Sequence, residues 1–221
     1  MNFISQLKDV SAFIFNKDLS EGASGNISFL AKTDSKKALV RVKLPVTLKA
    51  AVGKTFAVTS TGSRIYELAE NPSYFLSLVR VSKDGDFLEI LNEIKPSSEI
   101  LCHILSYEAC FSKNTECRCI IHVHPKYSLA LSGSKDKKSL NSVLNKTHTE
   151  FRYYFPHGIG FVRRTEPGTL LLAEKNAGEI SKHSVVLWKN HGLIARGINL
   201  YECYDRLDTI ESISKIGLLS G

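Results

Sequence analysis

An α/β sandwich, with a largely antiparallel central sheet covered by helices, is the fold class that the sequence predicts. Three observations predict it. Two apolar runs, residues 76–81 and 87–91, flank Lys83-Asp84-Gly85, a hairpin signature. From residue 100 onward, helical and strand-like patterns alternate. The 221 residues, 43% hydrophobic and 23% charged, suffice for one core, so residues 1–221 read as a single domain.

The elements follow in order. Phe3, Leu7, Val10 and Ile14 recur at helical spacing, so an amphipathic helix is expected over 2–16. Gly22-Ala23-Ser24-Gly25-Asn26 reads as a small-residue turn. Strands are expected at 27–30, 38–44 and 56–59, the last ending at Thr61-Gly62. After the hairpin, Pro96-Ser97-Ser98-Glu99 opens a helix. A serine there can cap exposed amides, and Ile100, Leu101, Ile104 and Leu105 continue at helical spacing. Residues 118–123 form a strand that Pro125 ends, with Ile121 and Val123 on one face and His122 and His124 on the other. A helix opens over 127–131, and Ser134 to Lys138, the densest charge cluster, reads as an exposed loop. A tight strand segment at 158–161, a helix at 169–182 and a buried strand at 184–188 come next. Residues 200–218 close the chain as a helix with Cys203, Leu207, Ile210 and Ile213 on its apolar side.

Charge and cysteine content narrow the function classes. A net charge of +7 favours anionic partners. No basic run carries interleaved aromatics, so nucleic acid is not expected, whereas a phosphorylated small substrate fits. Five cysteines, an odd count, and no secretory signal point to a reducing, cytoplasmic location. Cys117-Arg118-Cys119 lacks the second Cys/His pair of a zinc knuckle. No apolar run is long enough to cross a membrane.

The chemistry concentrates in His122-Val123-His124 and the distant Asn190-His191-Gly192. Two histidines one residue apart on a strand share a face, roughly 7 Å apart at the backbone, near enough to grip one cation. A third histidine would leave a fourth position open for a substrate oxygen. A His-x-His pair also occurs as ordinary buried structure, but the glycine after His191 permits a sharp turn that brings a third imidazole in. A glutamate ligand shortly after the pair, as in jelly-roll metal sites, is missing from Pro125-Lys126-Tyr127-Ser128. Glu99 can serve either as helix-start charge or as the proton carrier beside the metal. His103 shares its helical face, four residues on. Three small-residue segments offer amides and hydroxyls to a phosphate: Gly22 to Asn26, Thr59-Ser60-Thr61-Gly62, and Ser97-Ser98.

Taken in order with Ile121-His122-Val123-His124-Pro125 and Asn190-His191-Gly192, these segments resemble the class II aldolase/adducin family over nearly the whole chain. Within it the chain looks most like the branch acting on rhamnulose 1-phosphate, and it is also similar to the fuculose 1-phosphate branch. Val58 to Gly62, Glu150 with Phe155 to Gly160, Lys182 to Trp188 and Leu207 to Glu211 carry that likeness. The resemblance implies zinc-dependent, reversible cleavage of a ketose 1-phosphate to dihydroxyacetone phosphate and an aldehyde, and a homotetramer with sites near subunit interfaces. It implies His122, His124 and His191 as zinc ligands and Glu99 as the acid/base acting on the enediolate. It further implies Asn26, Thr61, Gly62, Ser97 and Ser98 as phosphate or substrate contacts, and Glu150 as a second glutamate that reaches a neighbouring subunit's site. Ala23 stands where relatives often carry a polar side chain, and the chain is shorter than typical members of that branch. A sugar-phosphate 4-epimerase, a methylthioribulose-phosphate dehydratase and a non-catalytic adducin-like module stay open as alternatives.

Overall fold

The computed structural model describes residues 2–33 and 37–220. Among the described residues nine strands form one sheet: β1 (Asn26–Ala31), β2 (Val40–Lys43), β3 (Thr55–Thr59), β4 (Leu76–Val81), β5 (Phe87–Ile90), β6 (Cys119–Val123), β7 (Gly160–Val162), β8 (Val185–Trp188) and β9 (Gly192–Gly197). Their spatial order is β2-β5-β4-β3-β1-β6-β9-β8-β7. Neighbours run antiparallel except β7 and β8, which are parallel. The sheet is therefore mixed but mostly antiparallel.

Eight α-helices flank it among the described residues: α1 (Phe3–Asn16), α2 (Ile65–Glu70), α3 (Ile100–Ser112), α4 (Lys126–Ser132), α5 (Lys137–Thr147), α6 (Phe151–Tyr154), α7 (Leu170–Ile180) and α8 (Leu200–Leu219). None is long and apolar enough to cross a membrane. Period-two alternation divides the core between the two sheet faces. Cys119, Ile121 and Val123 of β6 and Val185 and Leu187 of β8 point to a layer formed mainly by α1, α2, α4, α5 and α8. Ile120 of β6, Val186 and Trp188 of β8 and Ile194 of β9 point to the layer of α3 and α7. Each fully buried leucine or isoleucine contributes about 1.5–3 kcal/mol, so both layers are strongly held. His122 shares the α3/α7 side with Ile120, as the alternation requires.

Several elements depart from the sequence expectation. The charged run Ser134 to Lys138 is not an exposed loop throughout. Asp136 caps α5, its side chain accepting from Ser139 N at 2.8 Å, and the helix begins at Lys137. Helices α2 and α6 and strand β9 were not expected from the pattern. The α4 helix has no side-chain cap of its own at Pro125. Glu211 of α8 takes that place: its carboxylate accepts from Tyr127 N (2.9 Å), Ser128 N (2.8 Å) and Ser128 Oγ (2.7 Å).

Candidate metal centre and its cavity

Strand β6 delivers His122, and the chain delivers His124 one residue past the strand's end, where its amide donates to Leu19 O at 2.9 Å. His191 comes from the β8–β9 hairpin, whose turn is closed by His191 N donating to Trp188 O at 3.0 Å. One imidazole nitrogen from each ring falls within 4.8 Å of the other two. The turn itself corrects the sequence argument. Asn190, not Gly192, adopts the left-handed conformation, at φ 58°. Gly192 is needed for closeness instead: a Cβ there would lie 2.4 Å from Val123 O, 2.6 Å from His122 Cε1 and 3.0 Å from His124 Cδ2.

Hydrogen bonds on the far side of two rings fix their lone pairs. His122 Nδ1 donates to Leu193 O at 2.9 Å, and His124 Nδ1 donates to Glu21 Oε1 at 3.0 Å. Carbonyl and carboxylate oxygens only accept, so in the neutral rings neither Nε2 carries a hydrogen. Yet the two Nε2 atoms face each other at 3.1 Å. Two lone pairs so placed repel unless a proton or a metal cation lies between them. Nitrogens held at about 2.0–2.1 Å by one tetrahedral cation stand roughly 3.3 Å apart, so the donor set fits a divalent metal. The outer partners Leu193 O and Glu21 are of the kind that orient metal-bound imidazoles.

Electrostatics favour neutral His122 and His191. Burial pushes the His122 pKa well below its ordinary value, and His124 and His191 push the same way. Burial, followed by His124, lowers His191 to about 4. Its Nδ1 is buried with no hydrogen-bond partner among the described residues. On Glu21 burial works upward, but the hydrogen bond and charge of His124 outweigh it and lower the pKa. Trp188 backs the cluster, its ring centroid 4.5 Å from His122 and 5.1 Å from His191. Its Nε1 is tied to Asn176 Oδ1 at 2.9 Å.

These histidines open into a cavity of about 220 Å³. Asn26, Thr61, Gly62, Ser97, Ser98 and Glu99 line it together with Ala23, Ser24, Gly25 and Ser60. The turns are held by main-chain bonds: Thr61 N to Lys95 O (3.1 Å) and Ser97 N to Thr59 O (3.0 Å). No lysine or arginine among the described residues lines the space, so an anion there would meet small neutral donors, the three histidines and the Glu99 carboxyl. Glu99 occupies the N-cap position of α3, but its side chain makes no cap bond, and Ser97 Oγ accepts from Glu99 N at 3.2 Å. The carboxylate instead accepts from Gly168 N through Oε1 at 3.1 Å, while buried Oε2 has no hydrogen-bond partner among the described residues. Burial raises the Glu99 pKa and outweighs the lowering by Cys102, Gly168 N–H and His124. Glu150 is not brought to this cavity. It is exposed and precedes the first turn of α6.

The sequence profile of the class II aldolase and adducin N-terminal domain matches residues 5–218. The chain belongs to that family. A rhamnulose-1-phosphate aldolase from Enterococcus faecalis is 28% identical over 227 aligned residues, covering 97% of this chain and 81% of that protein. A crystal structure of a sugar-phosphate aldolase from Thermotoga maritima superposes with a TM-score of 0.86 at 29% identity, covering 98% of this chain and 94% of that one. An L-fuculose-1-phosphate aldolase from Thermus thermophilus, at 20% identity and TM-score 0.67, shares the fold over 99% of this chain and 93% of its own.

Sequence reasoning missed Glu21, Trp188 and Gly168 as parts of the site. Glu21 and His124 are 103 residues apart, a separation that leaves no local pattern. His103 was noted only for sharing a face with Glu99. In fact its Nε2 sits 2.5 Å from Asn26 Oδ1.

Proposed function

We propose that the chain is a zinc-dependent class II aldolase. It cleaves a ketose 1-phosphate of the rhamnulose 1-phosphate kind, reversibly, to dihydroxyacetone phosphate and an aldehyde. The observation that carries this reading is the pair of facing Nε2 atoms, 3.1 Å apart, in a cavity that also holds Glu99. In this reading His122, His124 and His191 hold the cation, which supplies Lewis acidity for the carbonyl and countercharge for the enediolate. Glu99, its Oε2 unpartnered and its pKa raised, exchanges the proton on carbon. Asn26, Thr61, Gly62, Ser97 and Ser98 place the phosphate and exclude water. The chain is read as one domain that works in the cytoplasm as a homotetramer. Glu150, exposed and remote from its own cavity, reaches a neighbouring subunit's site there.

A panel of ketose 1-phosphates with varied aldehyde halves, assayed for dihydroxyacetone phosphate alongside metal content, tests the reading. Release of both products with bound zinc supports it. Conversion of a sugar phosphate to its epimer with no free aldehyde would replace it with the 4-epimerase alternative.

A further inference from the structure

Behind the cavity runs a chain of four buried polar groups: Tyr107, Ser28, His103 and Asn26. Tyr107 Oη lies 3.0 Å from Ser28 Oγ, Ser28 Oγ 2.6 Å from His103 Nδ1, and His103 Nε2 2.5 Å from the Asn26 amide. Burial lowers the His103 pKa to about 3, so the ring is neutral and carries one hydrogen. Two directions are then conceivable. If Nδ1 bears the hydrogen, it donates to Ser28, Ser28 donates to Tyr107, and the buried phenol hydrogen has no acceptor. If Nε2 bears it, Tyr107 donates to Ser28, Ser28 donates to Nδ1, and Nε2 donates to the Asn26 carbonyl. Only the second direction gives every hydrogen in the chain an acceptor, because Ser28 is the partner of the Tyr107 hydroxyl among the described residues. A stranded buried donor is costly, so the second direction wins.

We propose that this one-way relay makes Asn26 a fixed donor toward the cavity and that Tyr107, Ser28 and His103 are positioning residues for an anionic substrate oxygen. With its carbonyl turned back to His103, Asn26 presents its NH₂ edge to the space it lines. A cavity without lysine or arginine thereby gains a donor that cannot flip to repel a phosphate. The inference rests on the reading of this cavity as a phosphate site.

Nitrogen-15 NMR of the histidine rings in the metal-loaded protein tests the direction without any substitution. The expected His103 signal is a neutral ring with hydrogen on Nε2, unchanged between about pH 5 and pH 8. A ring with hydrogen on Nδ1 overturns the relay. Binding of inorganic phosphate by calorimetry tests the consequence. His103→Phe is expected to weaken it by about tenfold in the native chain and not at all in an Asn26→Ala background, since the effect passes through Asn26. His103→Gln, which can donate to Asn26 and accept from Ser28, should restore binding to within about twofold. Equal losses in both backgrounds overturn the positioning role. Phosphate binding with no cleavage of any ketose phosphate would instead count against the aldolase reading and leave the relay standing.

Discussion

The two walls of the cavity are built differently. On the sheet wall, His122 and Asn26 are buried, and His122, His124 and Asn26 are each anchored from behind, by Leu193 O, Glu21 and His103. On the loop wall, Thr61, Gly62 and Ser98 are exposed, and the turns are fixed by main-chain bonds and by short local ones from Ser63 Oγ to Ser60 O and from Glu99 N to Ser97 Oγ. The sheet wall has few adjustable parts and suits a cation, which demands lone pairs at set positions. The loop wall offers several small donors and suits a ligand that arrives and leaves. Glu99 belongs to both: it ends the loop wall, yet it is buried and has one oxygen unpartnered.

The largest expected effect breaks the sheet wall. His122→Ala, or dialysis against a chelator, should abolish cleavage and strip the metal, read as zinc by mass spectrometry and as dihydroxyacetone phosphate released. Full turnover in metal-free protein would sink the assignment. Glu99→Gln comes next. It should keep the metal and lower kcat by about 10²–10⁴, the usual contribution of a positioned acid/base. Glu21→Gln probes the anchor behind His124 and should weaken metal affinity by about 10–100-fold, measured by competition with a chromophoric chelator. Ser98→Ala on the loop wall should raise KM by about tenfold or less with metal content unchanged. An equal loss of metal in this variant and in Glu21→Gln would erase the distinction between the walls.

A separate effect is a pH dependence of folding. The folded-state pKa of His103, about 3, lies below its ordinary value of 6.5, so below pH 6.5 the unfolded chain binds more protons than the native one. Stability is therefore fully present above about pH 6.5 and is lost as pH falls toward the folded value. Urea midpoints of metal-free protein between pH 7 and pH 4 should drop. In His103→Phe the slope should be shallower by about one proton's worth.

How much of this was legible depends on the range of the signal. His122 and His124 could be paired from period two alone, and β8 from its unbroken apolar run. Helix α5 carries only a short apolar stripe, Leu140, Val143 and Leu144, within a polar, lysine-rich run, so its helical spacing is easily passed over. The Asp136/Ser139 capping pair was the clue available. Strand β9 shows no alternation because Gly192, Leu193, Ile194 and Ala195 are all buried. Anchors such as Glu21 for His124, or Leu193 O for His122, join residues 103 and 71 positions apart. No local pattern announces such contacts; the register of the sheet decides them. Asn26 and His122 are direct partners across β1 and β6, which is why a turn near residue 25 and a strand near residue 122 meet at one site.

The carboxylate of Glu211 gives the site a schedule. The helix after His124 has no cap of its own and takes one from α8, 83 residues after Ser128. While the chain emerges from the ribosome, β6 with His122, and His124 just after it, are synthesised well before either His191 or Glu211 exists. The third imidazole appears next, and the clamp on the segment beyond His124 appears only with the final helix. A nascent chain halted before α8 therefore already carries all three histidines, while the helix that follows His124 is still uncapped.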